Sequence, residues 1–195
     1  MSFSETCINF LRYVGRHHHS KLVETPRRLE KAWEFWTQGY NETNPRAILK
    51  EFNEWPKDAE GGNYDEMVLQ ANIRFYSHCE HHLAPFFGVV HIGYIPRECK
   101  YVFGLSKLAR VVEMYARRLQ MQERLTVEVA NAIDMTEPEG VGVVVQARHM
   151  CLESRGVQKA GTITTTSALR GSIKKNKQAR TEFLSFANAH QWNGV

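Results

Sequence analysis

The chain has 195 residues, a net charge of +4 with histidines neutral, and 43% apolar against 24% charged residues. That is one domain of ordinary size, or one with a helical extension, in the composition range of soluble globular proteins. No run approaches the roughly 18 continuous apolar residues that a spanning helix needs, so no membrane helix is expected. Met1–Glu5 has no basic start followed by a long apolar stretch, so no signal peptide is expected and cytoplasm is the expected compartment. The mild positive charge suits an anionic small molecule as well as weak nucleic-acid contact, and selects neither. Cysteines at 7, 79, 99 and 151 are too sparse for a disulfide framework. Beside histidines in a reducing compartment they point to metal or catalysis.

Residues 5–14 carry apolar residues at helical spacing, and the spacing predicts a helix there. The triplet His17-His18-His19 reads as a polar helix end, with a surface metal site as the less favoured reading. Thr25-Pro26 predicts a second helix, Thr25 capping and Pro26 at the first helical position, with Leu29, Ala32, Trp33 and Trp36 on one face and Gly39 ending it. Asn44-Pro45 predicts a third, short helix running through Phe52. The turn-rich stretch Trp55–Asn63 is the best internal boundary. It divides an N-terminal helical region, 1–62, from a catalytic region, 63–195.

Beyond it the pattern changes. Met67–Tyr76 and Phe86–Ile95 read as strands, 106–117 and 122–134 as helices. Gly140–Ala147 reads as a strand buried on both faces or nearly so, Thr162–Thr166 as a Thr-rich strand, and 174–190 as a closing amphipathic helix. The expected order is helices, then β-β-α-α-β-β, then a helix.

Two constellations carry chemistry. Cys79-Glu80-His81-His82 sets a thiolate and an imidazole three apart, and His149-Met150-Cys151 follows far along the chain. Cys and His are zinc ligands, and catalytic zinc keeps three protein ligands plus a water. Cys79, His82 and Cys151 would make that open set, leaving His81 and His149 as proton carriers. The competing readings are a buried cysteine among ordinary histidines, or a closed structural zinc with one more histidine. The surplus of titratable neighbours argues against closure.

The second constellation binds anions and reads bases. Leu105–Arg110 starts a helix with Ser106 as a fair N-cap and Lys107 and Arg110 on one face. A helix start with such cations suits phosphate, and a solvated basic face is the bland alternative. Arg155 could add a third cation. Arg118–Thr126 is too polar for a core segment. Glu123 could accept two hydrogen bonds from the N1–H and N2–H₂ edge of guanine, or could simply be a helix-start carboxylate favoured by the dipole.

Together, Ser77-His78-Cys79-Glu80-His81-His82-Leu83-Ala84-Pro85-Phe86-Phe87-Gly88, Gly104–Arg110, Arg118–Thr126, His149-Met150-Cys151 and Arg155-Gly156-Val157 resemble, in order, the signature blocks of the GTP cyclohydrolase I family. Thr25–Arg28 and Thr165–Gly171 are weaker matches, and the likeness spans roughly residues 20–190. Several blocks in the right order are far more specific than one motif.

The resemblance implies Cys79, His82 and Cys151 as zinc ligands and His81 and His149 as acid/base groups. It implies triphosphate and ribose contacts from Ser106, Lys107, Arg110 and Arg155, with Ser106 also assisting catalysis, and guanine recognition by Gln122 and Glu123. It further implies an α+β tunnelling fold, an antiparallel four-stranded sheet with two helices on one face, assembled edge to edge into a homodecamer of two pentamers. The implied reaction is hydrolysis at C8 of GTP, releasing formate and yielding 7,8-dihydroneopterin triphosphate, with Zn2+ as the cofactor and no redox cofactor. The weighed alternatives are a related tunnelling-fold deazaguanine nitrile reductase using NADPH, a zinc-stabilised nucleic-acid module, and an inactive homologue. The paired Cys79/His82 with distal Cys151, the modest basic excess and the intact residue set argue against them in turn.

Overall fold

The computed structural model describes residues 2–15, 22–49, 51–52, 64–97 and 102–194. The His17–His19 triplet, Cys99 and the turn-rich boundary at 55–63 lie outside the described residues. The N-terminal region forms α1 (Phe3–Gly15), α2 (Thr25–Trp36), a 3-10 turn (Gln38–Asn41) and α3 (Pro45–Ile48). A two-residue strand β1 (Glu51–Phe52) follows, where the sequence pattern had extended the third helix. Thr25 does not cap α2. It is the first helical residue, Glu24 holds the N-cap position, and Pro26 occupies the first turn, where its missing N–H costs nothing. Asn44 does cap α3, its side chain accepting from the Arg46 amide.

The body runs β2 (Val68–Cys79), β3 (Pro85–Ile95), β4 (Val102–Phe103), α4 (Leu105–Ala116), β5 (Leu119–Gln120), α5 (Gln122–Asp134), β6 (Gly140–His149), α6 (Met150–Glu153), β7 (Thr164–Arg170), α7 (Gly171–Lys175) and α8 (Lys177–Ala189). The four long strands pair antiparallel as β2-β3-β6-β7. The sheet has a fifth member: β5 pairs parallel with the end of β2, His78 against Leu119 and Cys79 against Gln120. The architecture is therefore mixed α+β with a five-stranded sheet, rather than the purely antiparallel four-stranded sheet expected. No helix among the described residues is long and apolar enough to cross a membrane.

Strand alternation distributes the core over both faces. Val141, Val143, Val145 and Ala147 of β6, with Phe75, Phe86, Val90 and Ile92, pack against Leu108, Val111 and Val112 of α4 and Leu125, Val129 and Ile133 of α5. Val144 points the other way, to Phe183, Ala179 and Ala187 of α8. The sheet can carry α8 so closely because β3 and β6 place Gly93 and Gly142 under Phe183. A Cβ at either would stand 2.6 Å from its ring. This is why β6 is buried along its apolar run, as the sequence pattern expected. The closing helix is broken where it was expected to be continuous: Asn176 ends α7 and caps α8 through the Gln178 and Ala179 amides.

Candidate active site at the cysteine–histidine end of the sheet

Cys79 ends β2, and the chain turns at once. The Cys79 amide donates to Ala84 O (2.9 Å), and the amides of His82 and Leu83 donate to Cys79 O (3.3 and 2.8 Å). Leu83 takes a left-handed φ of 55°, a conformation uncommon outside glycine that collects at functional turns. One helical turn brings residues three apart to the same side, so Cys79 and His82 face together. The turn is tied to α5: the Glu80 amide donates to Gln120 O (3.0 Å), and Arg124 pairs with the Glu80 carboxylate and donates to Leu119 O (3.1 Å).

Cys151 arrives from the other side. His149 lies opposite Phe86 in the β3–β6 register, so the turn after β6 stands beside the turn after β2. The ligand atoms of Cys79, His82 and Cys151 all lie within 4.8 Å of one another, and Cys79 Sγ is 3.9 Å from His82 Nδ1. Zn–S and Zn–N bonds at tetrahedral angles put such atoms about 3.5–3.8 Å apart, so the set fits a tetrahedral ion with small adjustment. Burial and then the neighbouring Cys79 sulfur push the Cys151 thiol up. Two adjacent, partly desolvated sulfurs are what a bound cation stabilises as thiolates.

The other histidines are held differently. His81 is exposed, its Nδ1 3.6 Å from Cys79 Sγ and its Nε2 4.0 Å from the Glu80 carboxylate. The His149 ring stacks on Phe86, centroids 4.7 Å apart and planes nearly parallel, and its Nε2 is 2.7 Å from Gln122 Oε1. Burial lowers the His149 pKa, and the charge of Glu123 opposes that shift. Glu123 itself is exposed in the first turn of α5. Arg155 donates to His82 Nε2 at 2.8 Å. Ligation through Nδ1 would put the ring proton on Nε2 and release this exposed cation toward an anionic ligand.

Seven expected residues, together with Glu123, are thus gathered at one end: Cys79, His81, His82, Gln122, His149, Cys151 and Arg155. Gln122, however, is almost fully buried, its amide taken up by β6 and β7. Ser106, Lys107 and Arg110 are not gathered there. Phe103, just before α4, donates to Tyr94 Oη (2.9 Å) at the opposite end of β3. The helix then returns to Ser77, whose hydroxyl donates to Arg118 O. Twelve helical residues span about 18 Å, so Ser106 lies on the order of 20 Å from Cys79. Ser106 is not the cap either: Gly104 is, with Ser106 exposed in the first turn.

Glu80, Arg124 and Phe86 had no role in the expectations above. Glu80 and Arg124 sit inside the quoted blocks, but nothing in a linear pattern pairs them. The segment 118–126, expected to be too polar for the core, lies partly in it: Glu123 is exposed, while Gln120, Gln122 and Thr126 are each 1% exposed. Every one is partnered, Gln120 with Tyr115 O, Glu128 and Arg124, and Thr126 with Gln122 O and Thr166, which is the condition for burying polar groups at little cost.

Comparison with known proteins identifies the family of the chain. The family model described as GTP cyclohydrolase I matches residues 3–188. A protein of Nitrosospira multiformis named GTP cyclohydrolase 1 is 50% identical over 172 residues, covering 87% of this chain and 85% of its own. One of the same name from Campylobacter curvus is 48% identical over 194 residues, 97% and 96% of the two chains. Another from Campylobacter jejuni is 50% identical over 190 residues, 95% and 94%. A solved structure, the archaeosine synthase QueF-Like in the apo form, is similar at 22% identity and a TM-score of 0.44 over 54% of this chain and 93% of that one. With a family model spanning nearly its whole length and half-identical relatives covering most of it, the chain belongs to the GTP cyclohydrolase I family of enzymes.

Proposed function

We propose that the protein hydrolyses GTP at C8 of the guanine, releasing that carbon as formate and forming 7,8-dihydroneopterin triphosphate, with zinc as its metal. The observation that carries this reading is the mutual proximity of Cys79, His82 and Cys151 beside His149 and Glu123. The three ligands would hold zinc and leave one position open. Zinc there would supply Lewis acidity, which lowers the pKa of water to roughly 7. The chain's own groups do the rest. Glu123 accepts from guanine N1–H and N2–H₂ and fixes the base. His149 gives a proton to N7, making C8 electrophilic. His81, exposed at the mouth, serves the later ribose opening and rearrangement. Arg155 contacts the phosphates.

Ser106, Lys107 and Arg110 complete the triphosphate and ribose contacts, with Ser106 assisting ribose opening, from a second copy of the chain. Two observations support this. The helix start that carries them is remote from the cysteines of its own chain. Among the described residues both sides of the sheet also offer free edges: β7 pairs with β6 alone, and β2 meets β5 over two residues only. Edge-to-edge pairing removes such edges, and it is the assembly rule of the tunnelling fold, whose members close into barrels. We read the assembly as two stacked pentamers, with residues 1–62 as a helical region and 63–195 as the catalytic body. A cytoplasmic location is supported by the metal set itself, whose free thiols need a reducing compartment; GTP is the small-molecule partner, without nucleic acid or membrane.

Incubation of the purified protein with zinc and GTP tests the reading. Formate and a pterin that becomes fluorescent on oxidation are expected; intact GTP with a full complement of zinc would reject it. In quenched reactions His149→Ala should leave GTP mostly intact, slowed about 10² to 10⁴-fold. His81→Ala should instead accumulate a ring-opened formamidopyrimidine or its deformylated product. Equal loss of zinc and of all intermediates in both variants would reject that division.

A further inference from the structure

Gln122 sits at the first position of α5 with 1% of its surface exposed, beside the exposed Glu123. Its side-chain nitrogen has three partners: Val145 O at 3.1 Å, Thr164 O at 3.0 Å and Thr166 Oγ1 at 3.1 Å. Two of these are backbone carbonyls, which can only accept, so this end of the amide must be the NH₂ donor. The oxygen end is thereby turned toward His149, with Oε1 2.7 Å from Nε2. An amide oxygen carries no proton. The proton in that hydrogen bond therefore belongs to His149 Nε2.

We infer that Gln122 is a positioning residue for His149: β6 and β7 fix its amide, and the amide fixes the plane of the imidazole and turns Nε2 toward it. The stack on Phe86, with ring planes 1° apart, removes the remaining rotation. Among the described residues no hydrogen bond engages Nδ1. With its amide held by β6 and β7 and 1% of its surface exposed, Gln122 on this reading leaves base recognition by side chain in this segment to Glu123.

The inference rests on the assignment of His149 as the proton donor to GTP, and its test separates the two. Gln122→Met keeps the length and burial of the side chain and removes the acceptor; Gln122→Glu keeps an oxygen facing Nε2 and removes the donors. With zinc content equal to wild type, Gln122→Met should lower kcat about 10- to 100-fold, as loss of groups that orient first ligands and catalytic rings does elsewhere, with KM within about twofold. Gln122→Glu should recover most of that kcat even if it melts earlier. In a His149→Ala background Gln122→Met should cost less than about twofold, because a group that acts through the ring has nothing left to act on. A crystal structure of Gln122→Met should show the ring turned from the Phe86 stack. A rise in KM at unchanged kcat would instead make Gln122 a direct base reader and overturn the inference. An equal loss of kcat in the His149→Ala background would overturn it too. If Gln122→Met does not fold, Gln122→Glu decides: kcat within about tenfold of wild type supports the inference, and loss of turnover with zinc retained overturns it. Should the wild-type protein leave GTP untouched, the proposed function fails, while the ring orientation in the Gln122→Met crystal still decides the positioning role.

Discussion

At one end of the sheet the turns after β2 and β6 bring Cys79, His82 and Cys151 within 4.8 Å of one another, with His149, Gln122 and Glu123 at the start of α5 beside them. At the other end α4 begins, with Ser106 and Lys107 in its first turn and Arg110 one turn further on. The first end is closed by contacts inside one chain: a helical turn, the Phe86–His149 register, and the Arg124–Glu80 pair. The second, on the proposed reading, has the parts of an anion site and lacks the groups that would hold the base. On the proposed reading, a site split across the length of a sheet is completed by another copy, and the two sheet edges left open among the described residues supply a way to bring one.

The largest expected effect lies at the metal end. Glu123→Ala should lower kcat/KM for GTP about 10⁴-fold without unfolding the protein, because a site that hydrogen-bonds a base edge discriminates on that scale when the pairing is removed. Near-normal kcat/KM would reduce Glu123 to a helix-start carboxylate.

The comparison between the ends can be broken directly by mixing. Lys107→Ala and His149→Ala should each be nearly inactive alone. Co-expressed in equal amounts, they should recover roughly a quarter of wild-type activity, since half of the metal ends and half of the helix starts are intact and each site draws one of each. No recovery in mixed oligomers would mean that one chain furnishes both ends.

A smaller effect tests the tie between α5 and the metal turn. Arg124→Met removes the cation that pairs with Glu80 and the donor to Leu119 O. Zinc affinity should fall about 10-fold, measured by competition with a chelator, with the fold retained. Unchanged affinity would show that the Cys79–Ala84 turn is rigid by itself.

The smallest effect concerns the buried histidines His91 and His78 rather than the difference between the ends. His91 is fully buried in mid-strand; burial lowers its pKa, Gln146 opposes the shift and His190 adds to it. Burial, and then Arg117, lowers that of His78 as well. Above about pH 6.5 these rings are neutral folded and unfolded, and contribute no pH dependence. Below it the unfolded chain takes up protons that the folded chain refuses. Stability therefore falls as pH drops from about 6.5 toward the lowered folded values. The melting temperature should decline on the order of a few degrees over that range, and His91→Leu should flatten the slope. A melting temperature that rises on acidification would contradict the burial of these rings.

Much of the fold was legible in the chain. The period of 3.6 set α5 at Gln122–Asp134, and the β-branched run set β6, because periodicity and branching act locally. The spacing of Cys79 and His82, three apart, and the His149-Met150-Cys151 block named the metal set, because one turn of chain decides which side chains share a side. What the sequence did not decide has long-range causes. Parallel β5 exists because Arg118 and Leu119 return alongside Ser77 and His78. The break at Asn176 exists because its side chain caps α8. Burial of Gln120, Gln122 and Thr126 was unreadable, since polar residues enter a core only where partners distant in sequence satisfy them: Thr164 and Thr166 for Gln122, Thr166 for Thr126. The separation of Ser106, Lys107 and Arg110 from the cysteines was hidden for the same reason. A linear motif lists the residues of a site in order, but only the direction in which α4 runs along the sheet determines which end each one occupies.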